Sequence, residues 1–315
     1  MNKKILLMCP DFFGYDKLLL EELSKNYEVD FYNNNYIEKQ NKFKRKFLKK
    51  YVEKSNINYY KEILNKIKNK RYDYFLFIKG NNIPNEFFEK ILELNKLIKI
   101  ISYQWDDIEN CIEILKKQKY ITRLYSYSKY DAQKYNLIYY PMFIKSNKFN
   151  KKKVKKEYDI LNIGTLHENR INMFNILNTT SLKIKNYIVI DNLKIYLKYL
   201  FLKNKKYKIK KKALPYDDYI ELIKKSKAIL DLPVKNQKGL TTRVLEGLSN
   251  EVKVITFNSH IKEYEFYNNE NILILDKIDE EKIRKFLLIK FNKKNEELYE
   301  KYTIKNWTKR ILEGE

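Results

Sequence analysis

The chain has 315 residues, 44% of them hydrophobic, which is enough for two domains that each bury a core. It contains no apolar run of about 18 residues and no secretory signal sequence, so neither a membrane-spanning helix nor export is expected. We therefore expect a cytoplasmic protein in which Cys9 and Cys111 remain free thiols.

The formal net charge is +25, from 65 Lys and Arg residues against 40 Asp and Glu residues. Such a charge suits attraction to an anionic membrane surface or to nucleic acid. It also follows from the codon bias of a genome with low GC content, which enriches Lys, Asn, Ile and Tyr together. Because the lysines are dispersed and no recognition motif occurs, nucleic acid is not expected as a partner.

Predicted strands and helices alternate along the chain, first before and then after a charged connector. In the first half, strands are predicted at 4–9, 28–32, 74–79, 98–103, 123–126 and 138–140, and helices at 15–26, 59–69, 85–94 and 110–118. In the second half, strands are predicted at 159–163, 187–190, 228–232 and 252–257, and helices at 170–177, 216–226 and 242–249.

This alternation predicts an α/β protein with two Rossmann-like, doubly wound domains that face each other across a cleft. The N-terminal domain is placed at 1–145, the linker at 146–157 and the C-terminal domain at 158–285. Residues 286–315 are expected to form a helical tail that packs back toward the N-terminal domain.

Glycine is rare in this sequence, with six residues, so each glycine is informative about the backbone. Gly14, Gly80 and Gly164 each lie between the end of a predicted strand and the start of a helix. Taken singly, each of these glycines is explained by an ordinary tight turn. Together they favour an anionic ligand, because the carboxyl ends of parallel strands and the N-termini of helices form anion-binding sites.

Two further glycines lie in the segment QKGLTTRVLEGLSNEVKVITFN, residues 237–258. If the chain turns at Gly239 into a helix, the first-turn N–H groups and the hydroxyls of Thr241 and Thr242 are placed to hold a diphosphate. Arg243 then adds a forked, charge-assisted contact to phosphate oxygens. This segment is the predicted anion site.

Glu246 follows Arg243 by about one helical turn and lies on the same face, where it can accept two hydrogen bonds from ribose hydroxyls. The alternative is an ion pair between Arg243 and Glu246 on a solvated face. Gly247 permits close packing of the helix against a strand or a ligand.

Several common signatures are absent from the sequence. No GxGxxG motif follows the first strand, and no GxxxxGK[ST] motif occurs. The sequence also has no HExxH or GxSxG motif, and its two cysteines are far apart. These absences disfavour the corresponding dinucleotide and triphosphate sites, a zinc centre and an α/β-hydrolase.

Seven short segments, spread in order along the whole chain, resemble those of GT-B-fold glycosyltransferases. They are CPDFFGYD, FIKGNNIPNEFF, ISYQWDDI, LYSYSKYDAQKYN, ILNIGTLHENRI, ILDLPVKNQKGLTTRVLEGL and VITFN. More narrowly, the chain is similar to the bacterial glycosyltransferases that assemble lipopolysaccharide and capsule. Each segment is a weak motif, and their order and the two-half layout carry the resemblance.

The resemblance implies a hexosyltransferase that moves a sugar from a nucleotide-sugar donor, expected to be UDP-linked, to a glycan or lipid-linked acceptor in cell-surface polysaccharide assembly. It implies that 158–285 binds the donor and 1–145 the acceptor. No cofactor beyond the donor and no metal are expected, so Asp106 and Asp107 need not form a metal-binding motif. The alternatives are a nucleotide-sugar epimerase of the same fold and, less favoured, a basic nucleic-acid-binding protein.

One departure from the family concerns the stereochemistry. Many retaining GT-B enzymes carry two glutamates eight residues apart in this region. Glu246 matches the second, whereas Lys238 stands at the first. The departure favours an inverting enzyme.

An inverting transfer needs cationic groups or N–H donors beside the leaving diphosphate and a general base beside the acceptor hydroxyl. His167 and Arg170, in GTLHENR, suit the leaving group, and Gly164 and Thr165 are assigned to the same donor site. The alternatives are a helix-cap role for His167 and a surface position for Arg170.

Asp11 and Asp106 are the candidate general bases, because both follow strands of the N-terminal half. Asp107 suits a helix N-cap, with Asp106 as its polar neighbour. Lys79 either contacts the sugar or phosphate or reaches solvent. The residues assigned to the acceptor side are Gly14, Tyr15 and Lys79.

Two stretches rich in basic and aromatic residues, 43–51 and 195–212, suit peripheral contact with the inner face of the cytoplasmic membrane. The rings would lie in the interface and the lysines at lipid phosphates. The stretches equally suit a solvated helix and a charged loop.

Overall fold

The structure is a computed structural model, which describes residues 3–34, 49–145, 154–190, 193–200, 209–210, 212–233, 237–293 and 296–314. The chain divides into two units, one made of Met1–Pro141 with Ile304–Glu315 and the other of Met142–Thr303. Parts of the predicted connector and basic stretches lie outside the described residues, namely 146–153, 43–48, 201–208 and 211.

The first unit is built around a parallel sheet. Its strands are β1 (Lys4–Met8), β2 (Glu28–Tyr32), β3 (Tyr74–Ile78), β4 (Lys99–Gln104), β5 (Arg123–Ser126) and β6 (Ile138–Tyr139). They lie in the order β2-β1-β3-β4-β5-β6. The helices are α1 (Tyr15–Leu23), α2 (Lys49–Ile67), α3 (Asn85–Leu94), α4 (Lys129–Tyr135) and the C-terminal helix (Ile304–Glu313), with 3-10 helices at Ile108–Asn110 and Ile112–Tyr120.

Aromatic side chains of β3 and α3 form part of the core of the first unit. Every residue of β3 is buried, as expected for a parallel strand in a sheet covered on both faces. Phe75 and Phe77 of β3 pack against Phe87 and Phe88 of α3, with ring centroids between 5.6 and 5.9 Å apart.

The C-terminal helix is part of the first unit through a buried tryptophan. The indole N–H of Trp307 donates to the carbonyl oxygen of Pro141 at 3.0 Å, and its ring meets Tyr103 edge-on at 4.8 Å. Near the end of the helix, the carbonyl oxygen of Leu312 accepts a hydrogen bond from Arg123 of β5. The last residues of the chain therefore complete the unit that its first residues begin.

The second unit contains a second parallel sheet. Its strands are β7 (Tyr158–Thr165), β8 (Ile184–Val189), β9 (Ile209–Lys210), β10 (Ser226–Asp231), β11 (Lys253–Thr256) and β12 (Ile272–Ile274). They lie in the order β12-β11-β10-β7-β8-β9. The helices are α5 (Glu168–Leu177), α6 (Leu193–Leu200), α7 (Tyr216–Lys224), α8 (Thr242–Ser249) and α9 (Glu280–Leu288), with 3-10 helices at Ser259–Glu263 and Glu296–Tyr302.

In each sheet the strand order reverses at one point, between β1 and β3 in the first unit and between β7 and β10 in the second. These neighbours are parallel, so their carboxyl ends lie at the same edge of the sheet. Doubly wound sheets bind ligands at such a point, outside the carboxyl ends of the strands. The prediction of two Rossmann-like, doubly wound domains is confirmed.

Some elements differ from the prediction. Helix α2 begins at Lys49 rather than at 59, and the predicted helix at 110–118 is replaced by 3-10 helices. Ile114 and Lys117 are both buried and three residues apart, which matches the three residues per turn of a 3-10 helix. The Lys117 amine donates to the carbonyl oxygen of Gly80 at 2.9 Å, so a tertiary contact favours this geometry. The elements α4, α6, β9 and β12 have no counterpart in the prediction.

None of the helices in the described ranges combines the length and the apolar character that crossing a bilayer requires.

Gly247 sets the distance between α8 and the second sheet. A Cβ atom at this position would lie 2.7 Å from Cγ2 of Ile229 in β10 and 3.3 Å from Cγ2 of Val254 in β11. Both side chains are fully buried and β-branched, so they have little freedom to move. The glycine therefore lets the helix lie directly against the strands, which is one of the two packing roles predicted for it.

We predict that Gly247→Ala lowers the free energy of unfolding, measured by urea denaturation. Helix propensity alone would favour alanine by roughly 0.5–1 kcal/mol. Overpacking a buried site costs about 1–3 kcal/mol, so the clash should outweigh the propensity. Lys285→Ala, at an exposed position of α9, is the control and should change stability by less than about 0.5 kcal/mol. Equal or greater stability of Gly247→Ala would show that the helix can move away from the sheet.

Candidate functional site

Arg170 joins the two strands at which the order of the second sheet reverses. It lies in the first turn of α5, which follows β7, and is only 6% exposed. Its Nη1 donates to the carbonyl oxygen of Thr165, the last residue of β7, at 2.9 Å, and its Nη2 donates to the carbonyl oxygen of Leu232, just after β10. The alternative of a surface arginine is therefore wrong.

Asp231, the last residue of β10, is the buried carboxylate of this edge. It accepts hydrogen bonds from Oγ1 of Thr241 at 2.7 Å, Nη2 of Arg243 at 3.1 Å and Oγ1 of Thr256 at 2.9 Å. A buried carboxylate is stable only when it is paired and hydrogen-bonded, and these three donors meet that need. Arg243 thus pairs with Asp231, twelve residues earlier in the chain.

Gly164 lies beside both arginines. A Cβ atom at this position would be 3.5 Å from Nη1 of Arg243 and 3.7 Å from Nη1 of Arg170. The glycine has φ +152°, which few residues with a side chain adopt. The two guanidinium groups therefore converge beside the end of β7, both at van der Waals distance from the position of this Cβ.

The two guanidinium groups carry more positive charge than Asp231 balances. Burial and, to a smaller extent, the charge of Arg243 lower the pKa of Arg170 to about 9, although Asp231 acts in the opposite direction. Within the described residues, the Nε atoms of Arg170 and Arg243 are buried and have no hydrogen-bond partner. Like charges held this close favour an anion, because it would compensate both.

The amino end of α8 adds to this positive field. Thr241 is the N-cap residue, yet among the described residues its side chain makes no capping hydrogen bond and bonds to Asp231 instead. Thr242 is the first residue of the helix. The preceding loop is held by Asn258, whose amide donates to the carbonyl oxygens of Lys238 at 3.1 Å and Gly239 at 3.4 Å. A helix N-terminus presents N–H groups and a partial positive charge to an anion.

Glu246 is buried in α8, and its Oε1 accepts a hydrogen bond from the hydroxyl of Tyr216, at the start of α7, at 2.5 Å. The ring of Tyr219 meets that of Tyr216 edge-on at 6.2 Å. Burial and the charge of Glu246 raise the pKa of Tyr219, so this tyrosine remains protonated. The structure thus gives Glu246 a tyrosine partner that the sequence did not suggest.

His167 occupies the N-cap position of α5, and its carbonyl oxygen accepts a hydrogen bond from the backbone N–H of Arg170 at 3.0 Å. Among the described residues, its side chain makes no capping hydrogen bond. The helix-cap alternative therefore holds for the backbone of His167 and not for its imidazole.

In the first unit, the candidate residues follow β1, β3 and β4, whose carboxyl ends share one edge. Lys79, directly after β3, forms an ion pair with Asp106, two residues after β4. Both side chains are partly exposed, so the pair is accessible at this edge. The other predicted residues of this unit are the exposed Asp11, the α1 N-cap Gly14 and the buried Tyr15.

Asp107, predicted from the sequence as a helix N-cap, is a titratable group with a shifted pKa. It does precede the 3-10 helix Ile108–Asn110, but within the described part of the chain its side chain makes no capping hydrogen bond and accepts from the hydroxyl of Tyr127 at 2.7 Å. Burial, with smaller contributions from the negative charges of Asp131, Asp106 and Glu109, raises the pKa of Asp107 to about 6, although the hydrogen bond from Tyr127 opposes this rise. A carboxylate with such a pKa is suited to proton transfer near neutral pH.

Sequence reasoning missed Asp231 and Tyr216. A signal for Asp231 existed, because an acidic residue that ends an apolar strand lies at the carboxyl edge where ligands bind. Tyr216 carried no comparable signal, since its contact with Glu246 joins two helices thirty residues apart.

No protein-family model matches the sequence, and no curated protein matches it. Solved structures do match over nearly the whole chain. AviGT4, a glycosyltransferase involved in avilamycin A biosynthesis, has a TM-score of 0.62 at 11% identity, with 99% of each chain covered. A Methanocaldococcus jannaschii UDP-GlcNAc 2-epimerase in complex with UDP-GlcNAc and UDP has a TM-score of 0.55 at 15% identity, covering 99% of this chain and 100% of that one.

A third similar structure, Staphylococcus aureus MnaA with UDP, has a TM-score of 0.52 at 14% identity and covers 98% of this chain and 95% of that one. At such low identity the likeness shows the fold alone. Together with the two six-stranded parallel sheets, it shows the GT-B fold, with its two Rossmann-like domains.

We predict that Asp231→Asn lowers the free energy of unfolding by roughly 3 kcal/mol, because it removes the charge that opposes the buried guanidinium group of Arg170 and the partly buried one of Arg243. Urea denaturation measures the change. Glu281→Gln, which breaks an exposed ion pair with Lys285, is the control and should cost no more than about 1 kcal/mol. A loss no larger than that of the control would mean that the carboxylate does not hold the two arginines in place.

We predict that Asp107 makes stability fall as pH rises. The pKa of Asp107 is about 6 in the folded protein and about 3.9 in the unfolded chain. Its stabilising contribution to the free energy of unfolding is therefore fully present below about pH 4 and is lost between about pH 4 and 6. Asp107→Asn keeps an acceptor for Tyr127 and should be more stable than the wild type at pH 7. Glu113→Gln, in an exposed ion pair with Lys116, is the control. An NMR titration that placed the Asp107 pKa near 4 would contradict this prediction.

Proposed function

We propose that this protein is a glycosyltransferase that moves a hexose from a nucleotide-sugar donor to an acceptor hydroxyl. The observation that carries the proposal is the convergence of Arg170 and Arg243 at Gly164, where the strand order of the second sheet reverses. A donor diphosphate would supply the negative charge that Asp231 leaves uncompensated. Open α/β sheets bind their ligands at this position.

The donor site is assigned residue by residue on this basis. Arg243 and the first-turn N–H groups of α8 hold the diphosphate, with Thr242 beside them. Arg170, whose Nη atoms already bond to backbone carbonyls, contributes charge and fixes the ends of β7 and β10. Glu246, positioned by Tyr216, accepts hydrogen bonds from the ribose hydroxyls. The remaining donor-site residues are Gly164, Thr165, Gly239 and Thr241.

We propose UDP as the nucleotide. Two of the solved structures with this fold are described as complexes with UDP, and one of them also holds UDP-GlcNAc. AviGT4, the match with the higher TM-score of 0.62, is described as a glycosyltransferase. These similarities support a UDP-sugar donor and the transfer of its sugar.

In the proposed reaction, the acceptor oxygen forms a bond to the anomeric carbon while the bond from that carbon to the diphosphate oxygen breaks. The diphosphate leaves with the electron pair, and a general base takes the proton of the acceptor hydroxyl. Negative charge grows on the diphosphate, where the fixed guanidinium groups and the helix N-terminus stabilise it. His167, two residues after β7, is proposed to donate a hydrogen bond to the leaving group.

Attack from the side opposite the diphosphate inverts the anomeric centre, and Lys238 in place of a glutamate supports this outcome. Asp11 and Asp106 are the proposed bases, and the pKa of about 6 adds Asp107 as a third candidate. We propose that no metal ion is needed, because Arg170 and Arg243 supply the positive charge that a divalent cation would bring to the diphosphate.

The acceptor is proposed to be a glycan or lipid-linked sugar of cell-surface polysaccharide assembly. The first unit is proposed to bind it through Gly14, Tyr15 and Lys79. The net charge of +25 supports peripheral binding of a cytoplasmic protein to an anionic membrane surface.

A nucleotide-sugar epimerase is the second candidate, favoured by the similarity to the M. jannaschii UDP-GlcNAc 2-epimerase over the whole chain. It would use the same donor site. An epimerase converts its UDP-sugar without an acceptor and keeps the bond to UDP in the product, whereas a transferase releases UDP. NMR analysis of the products separates the two.

We predict that UDP binds and that Arg243→Gln weakens its binding roughly 10- to 100-fold, because a charge-assisted hydrogen bond contributes about 1.5–3 kcal/mol. Isothermal titration calorimetry measures the affinity. Arg284→Gln is the matched control: Arg284 bonds to Glu280 and to Ser181, which precedes β8, so it lies at the amino edge of the sheet. UDP should bind this control as it binds the wild type.

The proposal would be overturned if UDP, GDP, UDP-glucose, UDP-GlcNAc and GDP-mannose all failed to bind or to raise the melting temperature. Equal effects of Arg243→Gln and Arg284→Gln on UDP affinity would move the donor site elsewhere.

A further inference from the structure

Two phenylalanine rings are exposed at the carboxyl edge of the first sheet. Phe12 is 42% exposed and Phe13 is 36% exposed, in the loop that follows β1. Phe13 has φ +51°, which is uncommon for a bulky residue and costs free energy. The loop therefore keeps two apolar rings at the surface in spite of backbone strain, at the point where the strand order reverses.

The exposed rings rest on buried ones. Phe12 meets Phe13 edge-on, with centroids 4.6 Å apart, and lies 5.3 Å from the ring of Trp105, after β4. It also lies 6.5 Å from the ring of Tyr15, the first residue of α1. Trp105 and Tyr15 are buried, so Phe12 packs against rings that are themselves held in the core. We call Phe12 and Phe13, with this support, the aromatic platform.

Charged groups border the platform. Asp11 precedes Phe12 and is exposed. Asp106 follows Trp105 and forms an ion pair with Lys79, and both side chains of the pair are partly exposed. Because β3 lies between β1 and β4, the loop with the rings and the loop with Asp106 flank the end of β3, where Lys79 stands. Apolar faces and charged hydrogen-bonding groups therefore occur side by side.

This combination fits a pyranose ring. One face of a pyranose presents C–H groups, which pack on the electron-rich face of an aromatic ring. Its hydroxyls lie around the rim and pair with carboxylates and ammonium groups. An acyl chain would instead place apolar groups against the charged side chains of Asp11, Lys79 and Asp106 and take water from them, which is unfavourable. The polar border thus favours a sugar over a lipid chain.

We infer that the aromatic platform binds the pyranose ring of the acceptor glycan, with the face of one ring, Phe12 or Phe13, under the sugar, the perpendicular ring at the sugar's edge, and the Lys79–Asp106 pair at its hydroxyls. That this glycan is the acceptor rests on the proposed function. Sugar binding itself does not, because the platform belongs to the first unit and the donor site to the second.

Saturation-transfer NMR on the full chain tests the inference, with methyl β-D-glucopyranoside and methyl N-acetyl-β-D-glucosaminide as probes. We expect saturation of C–H protons on one face of the sugar. Phe12→Ala and Phe13→Ala should each weaken binding roughly five- to tenfold, whereas Phe12→Tyr and Phe13→Trp should retain it. Tyr130→Ala, which removes a 37% exposed ring from α4 of the same unit, is the matched control and should leave binding unchanged.

Urea denaturation of the same variants shows whether they remain folded, and UDP titration separates the two proposals. Loss of sugar binding in Phe12→Ala and Phe13→Ala variants that unfold like the wild type supports the platform, whether or not the wild type binds UDP. UDP binding without any pyranoside binding overturns the platform and leaves the donor site standing. The inference is also overturned if both alanine variants bind sugars like the wild type, or if phosphatidylglycerol vesicles bind at Phe12 and Phe13 while the sugars do not.

Discussion

The buried carboxylate of Asp231 organises the carboxyl edge of the sheet in the second unit. It ends β10 and accepts hydrogen bonds from Thr241, Arg243 and Thr256, which bring the N-cap of α8, its first turn and the end of β11 to one point. A charge buried in this way requires partners, so its presence fixes where these segments lie. Thr256 extends the network, because its Oγ1 accepts from the backbone N–H of Asn258, whose side chain holds the loop before α8.

The same edge shows why the site is suited to an anion. Arg170 is held by backbone carbonyls at the ends of two strands, and Arg243 is held by Asp231, so neither guanidinium depends on a ligand for its position. Their mutual repulsion is unfavourable in the free protein and becomes useful when negative charge is bound. Groups fixed in advance stabilise a developing charge without reorganising, which is how electrostatic catalysis gains its effect.

The corresponding edge of the first unit carries different side chains. Its topology also places a reversal of strand order between two central strands. Two exposed rings and an ion pair occur there in place of paired arginines. Such a surface favours a neutral, hydroxyl-rich ligand, because apolar faces and charged hydrogen-bonding groups lie side by side. The two units therefore share an architecture and differ in the side chains that follow their strands.

The sequence by itself determined the alternation of buried strands and amphipathic helices, and it placed α3, α8 and β5 residue for residue. It also singled out Arg243 and Arg170, because arginines at the start of helices that follow strands carry a local signal, and their binding of an anion stays a prediction. Only the tertiary structure decided that Arg243 pairs with Asp231, that Glu246 bonds to Tyr216, and that residues 112–120 form a 3-10 helix around buried Lys117. Local periodicity encodes burial, whereas the partner of a charge depends on which segments the packing of helices against the sheet brings together.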